Sequence, residues 1–156
     1  MNKSILITGA AAALAAIAAA AYFTRPAPPV IPEFIEPTPA LVARGKTIYE
    51  QNCASCHGAK LEGQADWRQR LPNGRLPAPP HDASGHTWHH PDQVLIDIVK
   101  HGLVPGKTAP EGYESDMPAY GASLPDADIV AVLAFIKNSW PAEALDAQRN
   151  ITQQSK

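Results

Sequence analysis

Apolar residues gather in four blocks along the chain, separated by stretches rich in proline and glycine. The first block, Ile5 to Phe23, carries no charge and is mostly alanine. A helix is predicted from Pro39 to Asn52, where Leu41, Gly45, Ile48 and Tyr49 share one face. Thr38 is placed to cap it, with Pro39 at the first helical position. A second helix is predicted from Pro91 to His101, with Val94, Leu95, Ile98 and Val99 as its apolar stripe and Gly102 as its stop. A third is predicted from Pro125 to Ser139, capped by Ser123, with Ile129, Val132, Leu133 and Ile136 on one face and Phe135 and Trp140 adding bulk. No strand-like alternation of useful length and no internal repeat is present, so the class is all-α. Between the helices, Gly58 to His90 and Leu103 to Leu124 read as loop, with a short helical turn around Ala65 to Arg70.

These blocks divide the chain into 1–23, a signal peptide or membrane anchor; 24–39, a linker; 40–140, the folded domain; and 141–156, a C-terminal tail. The first segment follows a short positive start at Lys3. Its length approaches the roughly 20 residues of a membrane-spanning helix, which favours retention as an anchor. The Ala18-Ala19-Ala20 stretch, a small-residue cleavage pattern, and the weak hold of alanine on a bilayer favour cleavage. On either reading the domain is exported: anchored with the domain on the periplasmic side, or soluble in the periplasm. Lys3 fits that orientation, and Arg25, just past the run, weakens it slightly. The linker holds Pro26, Pro28, Pro29, Pro32, Pro37 and Pro39, a composition that favours an extended backbone.

Composition removes several function classes. The chain has 156 residues, a net charge of −2 and 18% charged residues, so it is no basic nucleic-acid binder and no acidic disordered tail. Its two cysteines stand together in Cys53-Ala54-Ser55-Cys56-His57. A disulfide between them would close a tiny loop and constrain little of the unfolded chain. A structural zinc site usually wants a second pair of ligands, and no further cysteine exists. A thioredoxin-like dithiol wants a βαβ setting and gives no role to His57.

The remaining chemistry is covalent haem attachment. Two thiols two residues apart reach both vinyl groups on one porphyrin edge from a single turn of chain. The next residue then lies over the ring face, where its imidazole reaches the iron. One such segment implies one covalent haem c with its iron, which explains long loops that would otherwise argue against a compact domain. In this the chain resembles class I cytochromes c, at three places: Gly45-Lys46-Thr47-Ile48-Tyr49 ahead of Cys53-Ala54-Ser55-Cys56-His57-Gly58; Asp116-Met117-Pro118-Ala119-Tyr120; and Val132-Leu133-Ala134-Phe135-Ile136. The resemblance spans about Leu41 to Trp140. It implies a small cytochrome c fold, three main helices and long loops wrapped around one haem, with helices one and three crossing closely at Gly45.

The resemblance also implies site residues. Met117, in a Met-Pro loop before the last helix, stands where the family carries its second axial ligand, opposite His57. A neutral thioether there favours ferrous iron relative to a second imidazole. The plainer reading of Met117 is a core gap-filler. A proline carbonyl after the attachment segment holds the axial imidazole in the family, and Pro79 and Pro80 are the candidates here. His81, His86, His89, His90 and His101 rival Met117 as ligands, and the His86-Thr87-Trp88-His89-His90 cluster is a possible copper or zinc site. The expected function is single-electron transfer to redox protein partners, with no catalysis of its own. The competing expectations are a haem subunit of a larger oxidase or dehydrogenase, and an open-site haem enzyme or gas sensor.

Overall fold

A computed structural model of the chain describes residues 32–155. The hydrophobic N-terminal segment, expected as signal peptide or anchor, and the linker up to residue 31 lie outside the described residues. Among the described residues no helix is long and apolar enough to cross a membrane.

Helix α1 spans Pro39–Asn52; Thr38 caps it in extended conformation, its Oγ1 accepting from the Leu41 N–H at 3.4 Å. A short turn, α2 (Ala54–His57), follows directly, and a 3-10 turn covers Thr87–His89. Helix α3 spans Asp92–His101 and stops at Gly102, whose φ of 76° suits a residue without a Cβ. Helix α4 spans Asp126–Lys137 and starts after Pro125, without a side-chain cap. The expected cap, Ser123, instead donates to the Tyr120 carbonyl at 3.2 Å. No strand occurs among the described residues, as the all-α reading requires.

Helix α4 is the centre of the core. Every residue from Ile129 to Ala134 is buried, together with Ile136 and Lys137, which is the signature of a helix packed on all sides. It crosses α1 at Gly45, where any Cβ would collide with the Ala131 carbonyl oxygen and touch Phe135. Only the absence of a side chain lets the two backbones approach so closely.

Two expectations about the ends of the domain are corrected. Residues 141–156, expected as a tail, contain a fourth helix of length, α5 (Ala142–Gln154), so the domain does not end at Trp140. Its buried face is Ala144, Gln148 and Thr152, small or polar residues that leave almost no apolar period to detect. The linker likewise does not run free to Pro39: Ile35 is fully buried, and its N–H donates to Asp92 Oδ2 at 2.7 Å.

Asp92 is the hub of a buried polar knot joining these ends. Its carboxylate accepts from Lys137 Nζ at 2.6 and 2.7 Å and from Gln148 Nε2 at 2.8 Å, while its own N–H donates to Thr152 Oγ1 at 3.1 Å. Lys137 Nζ also donates to the Ile35 carbonyl at 3.1 Å and sits 3.7 Å from the centre of the Phe34 ring. Burial pulls the Lys137 ammonium down to about 8, although Asp92 favours its charge. Outside the knot, the Arg149 guanidinium lies 4.0 Å from the centre of the Phe34 ring and pairs with Glu36.

The long loop from Gly58 carries a stack of flat side chains. Trp67 lies 5.4 Å from His86 and 15° from parallel, and His86 meets His90 edge-on at 5.5 Å. Burial, then the neighbouring His90, His89 and Arg68, hold His86 below its ordinary value; burial and His89 do the same for His90.

Three outcomes follow. Gly45→Ala forces the α1–α4 backbones apart and is expected to cost about 3 kcal/mol, read as a lower urea midpoint at unchanged slope. Lys137→Met strands the buried Asp92 charge and is expected to cost about 3–5 kcal/mol, most of it recovered in Asp92→Asn/Lys137→Met; a double variant no better than the single would refute the pairing. An imidazole held low in the folded chain refuses a proton that the unfolded chain accepts below about 6.5. Stability is therefore expected to be full above that value and to fall as the pH drops through it, and His86→Gln/His90→Gln is expected to flatten the decline in urea melts between about pH 7.5 and 5.5.

Candidate functional site

The Cys53–His57 segment takes its shape from the end of α1. The Cys53 N–H donates to the Tyr49 carbonyl at 2.8 Å, and the Cys56 and His57 N–H groups return to the Cys53 carbonyl at 3.1 and 2.9 Å. Gly58, at φ 81°, then turns the chain away. One helical turn thus presents a half-buried cysteine, an exposed cysteine and a buried imidazole. Burial, then the neighbouring Cys56, pushes the Cys53 thiol up to about 11. Tyr49, itself fully buried, ties the turn down by donating its hydroxyl to the Gly58 carbonyl at 2.9 Å.

His57 Nδ1 lies 2.9 Å from the Pro79 carbonyl oxygen. A carbonyl can only accept, so the proton sits on Nδ1 and Nε2 keeps a bare lone pair. That is the tautomer a metal ligand requires, held by the kind of backbone partner that helps to orient the ring. Burial lowers the His57 pKa, favouring the neutral ring, and the Pro79 hydrogen bond opposes this in part. Of the two prolines weighed for this role, Pro79 makes the contact. The Pro80 carbonyl instead lies against Gly85, where a Cβ would strike it.

Met117 sits half-buried in the loop before α4, its N–H donating to Ser115 Oγ at 3.0 Å. Two latches fix this loop beside the cysteines. Tyr120 donates its hydroxyl to the Asn52 carbonyl at 2.6 Å, one residue ahead of Cys53, and burial together with Cys53 and Cys56 raises its pKa. On the other side Arg75 pairs with Asp116 and reaches Glu114 at 3.6 Å, joining the two long loops next to Met117.

The histidines separate into different settings. His81 stacks on His57, with ring centres 4.0 Å apart and planes 22° from parallel. His86 and His90 belong to the Trp67 stack, His89 lies against Trp88, and His101 is exposed at the end of α3. No group of three or more His, Cys, Asp or Glu is placed to hold a metal ion among the described residues, so the copper or zinc reading of this cluster gains no support. The His57–His81 stack and the Tyr120 and Arg75 latches were not foreseen from the sequence. The single available signal was the closeness of His81 to Pro79 in the chain. Two cysteine side chains and an imidazole whose Nε2 lone pair is unused, gathered in one turn, are a donor set that fits a covalently attached haem.

Comparison with known proteins agrees. Residues 42–140 match the family model for cytochrome c. The CcoP subunit of the cbb3-type cytochrome c oxidase of Azospirillum sp. (strain B510) is 29% identical over 99 residues, and that of Azospirillum brasilense is 27% identical over the same length. Those matches cover 62% and 64% of this chain but only 28% of each oxidase subunit. Cytochrome c-555 of Prosthecochloris aestuarii is 46% identical over 39 residues, which is 21% of this chain and 39% of that protein. The chain therefore belongs to the cytochrome c family, carrying covalently attached haem c and its iron for electron transfer.

Proposed function

We propose that this protein is a single-haem electron carrier, with Cys53 and Cys56 as the thioether positions, His57 Nε2 as one axial ligand and the Met117 sulfur as the other. The observation that carries this reading is the Nδ1–Pro79 hydrogen bond, which leaves His57 with one nitrogen available inside the two-thiol turn. When bound, the haem supplies reversible one-electron exchange at iron. The protein's own share is to hold two neutral ligands at fixed positions. His57 is fixed by Pro79, and Met117 by a loop latched through Tyr120 and Arg75. A soft thioether raises the potential above that of a two-imidazole site, and a rigid ligand pair changes little between oxidation states. With His57 and Met117 both holding the iron, no position would be left for substrate, which would separate a carrier from an open-site enzyme or gas sensor.

The carrier works on the exported side of a membrane in this proposal. The uncharged run from Ile5 to Phe23 supports export, as does covalent attachment, which keeps the cofactor from being lost to a dilute compartment. The second reading is a haem subunit of a larger oxidase or dehydrogenase, favoured by the matches to two oxidase subunits. Gently solubilised membranes distinguish the two. A carrier is expected to run on a native gel as a haem-stained band of its own, and a subunit to run with an oxidase.

Met117→Ala is expected to leave the haem attached, abolish the weak far-red charge-transfer band of a thioether–ferric bond, lower the potential and admit small ligands to the iron. An unaltered spectrum and potential would overturn the assignment of Met117. His57→Ala is expected to remove the low-spin spectrum altogether.

A further inference from the structure

The hydrogen bond to Pro79 holds one edge of the His57 ring, but a single hydrogen bond tolerates bending, so it restrains the turning of the ring about a metal–Nε2 bond only in part. A second contact covers the face of the ring. His81 lies 4.0 Å away and 22° from parallel, close enough to oppose rotation. His81 is itself immobilised at three points from three parts of the chain. Its N–H donates to the Leu61 carbonyl at 2.8 Å, its carbonyl accepts from Trp140 Nε1 at 2.8 Å, and its Nδ1 shares a hydrogen bond with Thr87 Oγ1 at 2.9 Å. The Tyr49 ring meets it edge-on at 6.4 Å. Thr87 is buried, so the last hydrogen bond is sheltered from water.

Backbone strain points the same way. Leu61 is a buried residue at φ 68°, a left-handed conformation that costs a non-glycine residue free energy and persists where the surroundings enforce it. In that conformation its carbonyl receives the N–H groups of both His81 and Asp82, at 2.8 and 3.3 Å. The strained residue thus serves as the seat of the His81 backbone.

We infer that His81 is a positioning residue for the axial imidazole: stacked on His57 and locked by Thr87, it sets the angle at which the His57 ring stands about its bond to the metal. The inference rests on His57 being an axial ligand. That angle decides which metal orbitals the ring's π electrons meet, so it governs the magnetic anisotropy of the ferric state and not merely stability.

The test compares ferric samples of the intact protein by electron paramagnetic resonance and by the pattern of haem-methyl proton shifts. His81→Leu is expected to keep the haem attached and low-spin while changing the principal g values and the order of the methyl resonances. His81→Phe, which keeps a flat ring on the stack, is expected to restore most of the original pattern. Thr87→Val, which keeps the stack but frees its ring, is expected to shift the pattern in the same sense by a smaller amount. If His81→Leu does not fold, Thr87→Val and His81→Phe decide the matter. Unaltered g values and methyl shifts in the folded His81 and Thr87 variants, with the low-spin signal still lost in His57→Ala, would overturn this inference and leave the ligand assignment standing. Survival of the low-spin signal in His57→Ala would overturn both.

Discussion

The hydrogen bond between His57 Nδ1 and the Pro79 carbonyl is the constraint on which the site depends, because it settles three things at once. It places the imidazole proton, so that the other nitrogen is a donor. It closes the first part of the long loop onto the end of α1, across 22 residues of sequence. It also brings His81, two residues further on, against the face of the ring. A backbone carbonyl suits this task better than a carboxylate would. It accepts without adding charge, and a neutral partner spares the buried ring a desolvated ion pair.

Around that bond the fold is a rigid frame carrying loops. The frame is the α1–α4 crossing, made possible at Gly45 and filled by the apolar length of α4. The loops have little regular structure and are held by discrete latches: Tyr49 to Gly58, Tyr120 to Asn52, Trp140 to His81 and Arg75 to Asp116. Three of the four use an aromatic side chain whose body packs apolar neighbours while its polar tip satisfies a backbone carbonyl. Such a residue fixes a loop without leaving a buried acceptor unpaired. The exposed Arg75 pairs are the exception and contribute orientation more than stability.

What could be read in advance follows from how local each signal is. Thr38 and Pro39 announce the start of α1 within two residues, and the structure places α1 at Pro39–Asn52 as expected. The Cys53–His57 spacing is equally local, and its chemistry is tied to sequence distance alone. Gly45 was legible through the family resemblance, since a glycine on a helical face has several possible explanations. The rest was not legible because its meaning is tertiary. Pro79 and Pro80 carry equivalent carbonyls, and only the path of the loop decides which one meets His57. Ser123 is a good cap by composition, yet its hydroxyl found the Tyr120 carbonyl first. Helix α5 escaped because Ala144, Gln148 and Thr152 form a buried stripe without an apolar signature.

That polar stripe has a physical consequence for the ends of the domain. An apolar α5 would pack against any greasy surface in several registers. Gln148 Nε2 instead must reach Asp92 Oδ1 at 2.8 Å and the His90 carbonyl at 3.1 Å, Thr152 Oγ1 must meet the Asp92 N–H at 3.1 Å, and a shift by one turn would strand these partners. The same logic applies to Ile35, whose N–H and carbonyl both engage the Asp92–Lys137 pair, so the chain entering the domain has one seat there. A buried ion pair is a weak source of net stability, since desolvation offsets most of its attraction. Its value here is discrimination: a misplaced entering segment or closing helix leaves the buried Asp92–Lys137 pair without the Ile35 or Gln148 hydrogen bonds that complete it. The polar knot therefore fixes where the chain enters the domain and where its last helix docks, while the crossing of α1 with α4 buries the apolar length of α4.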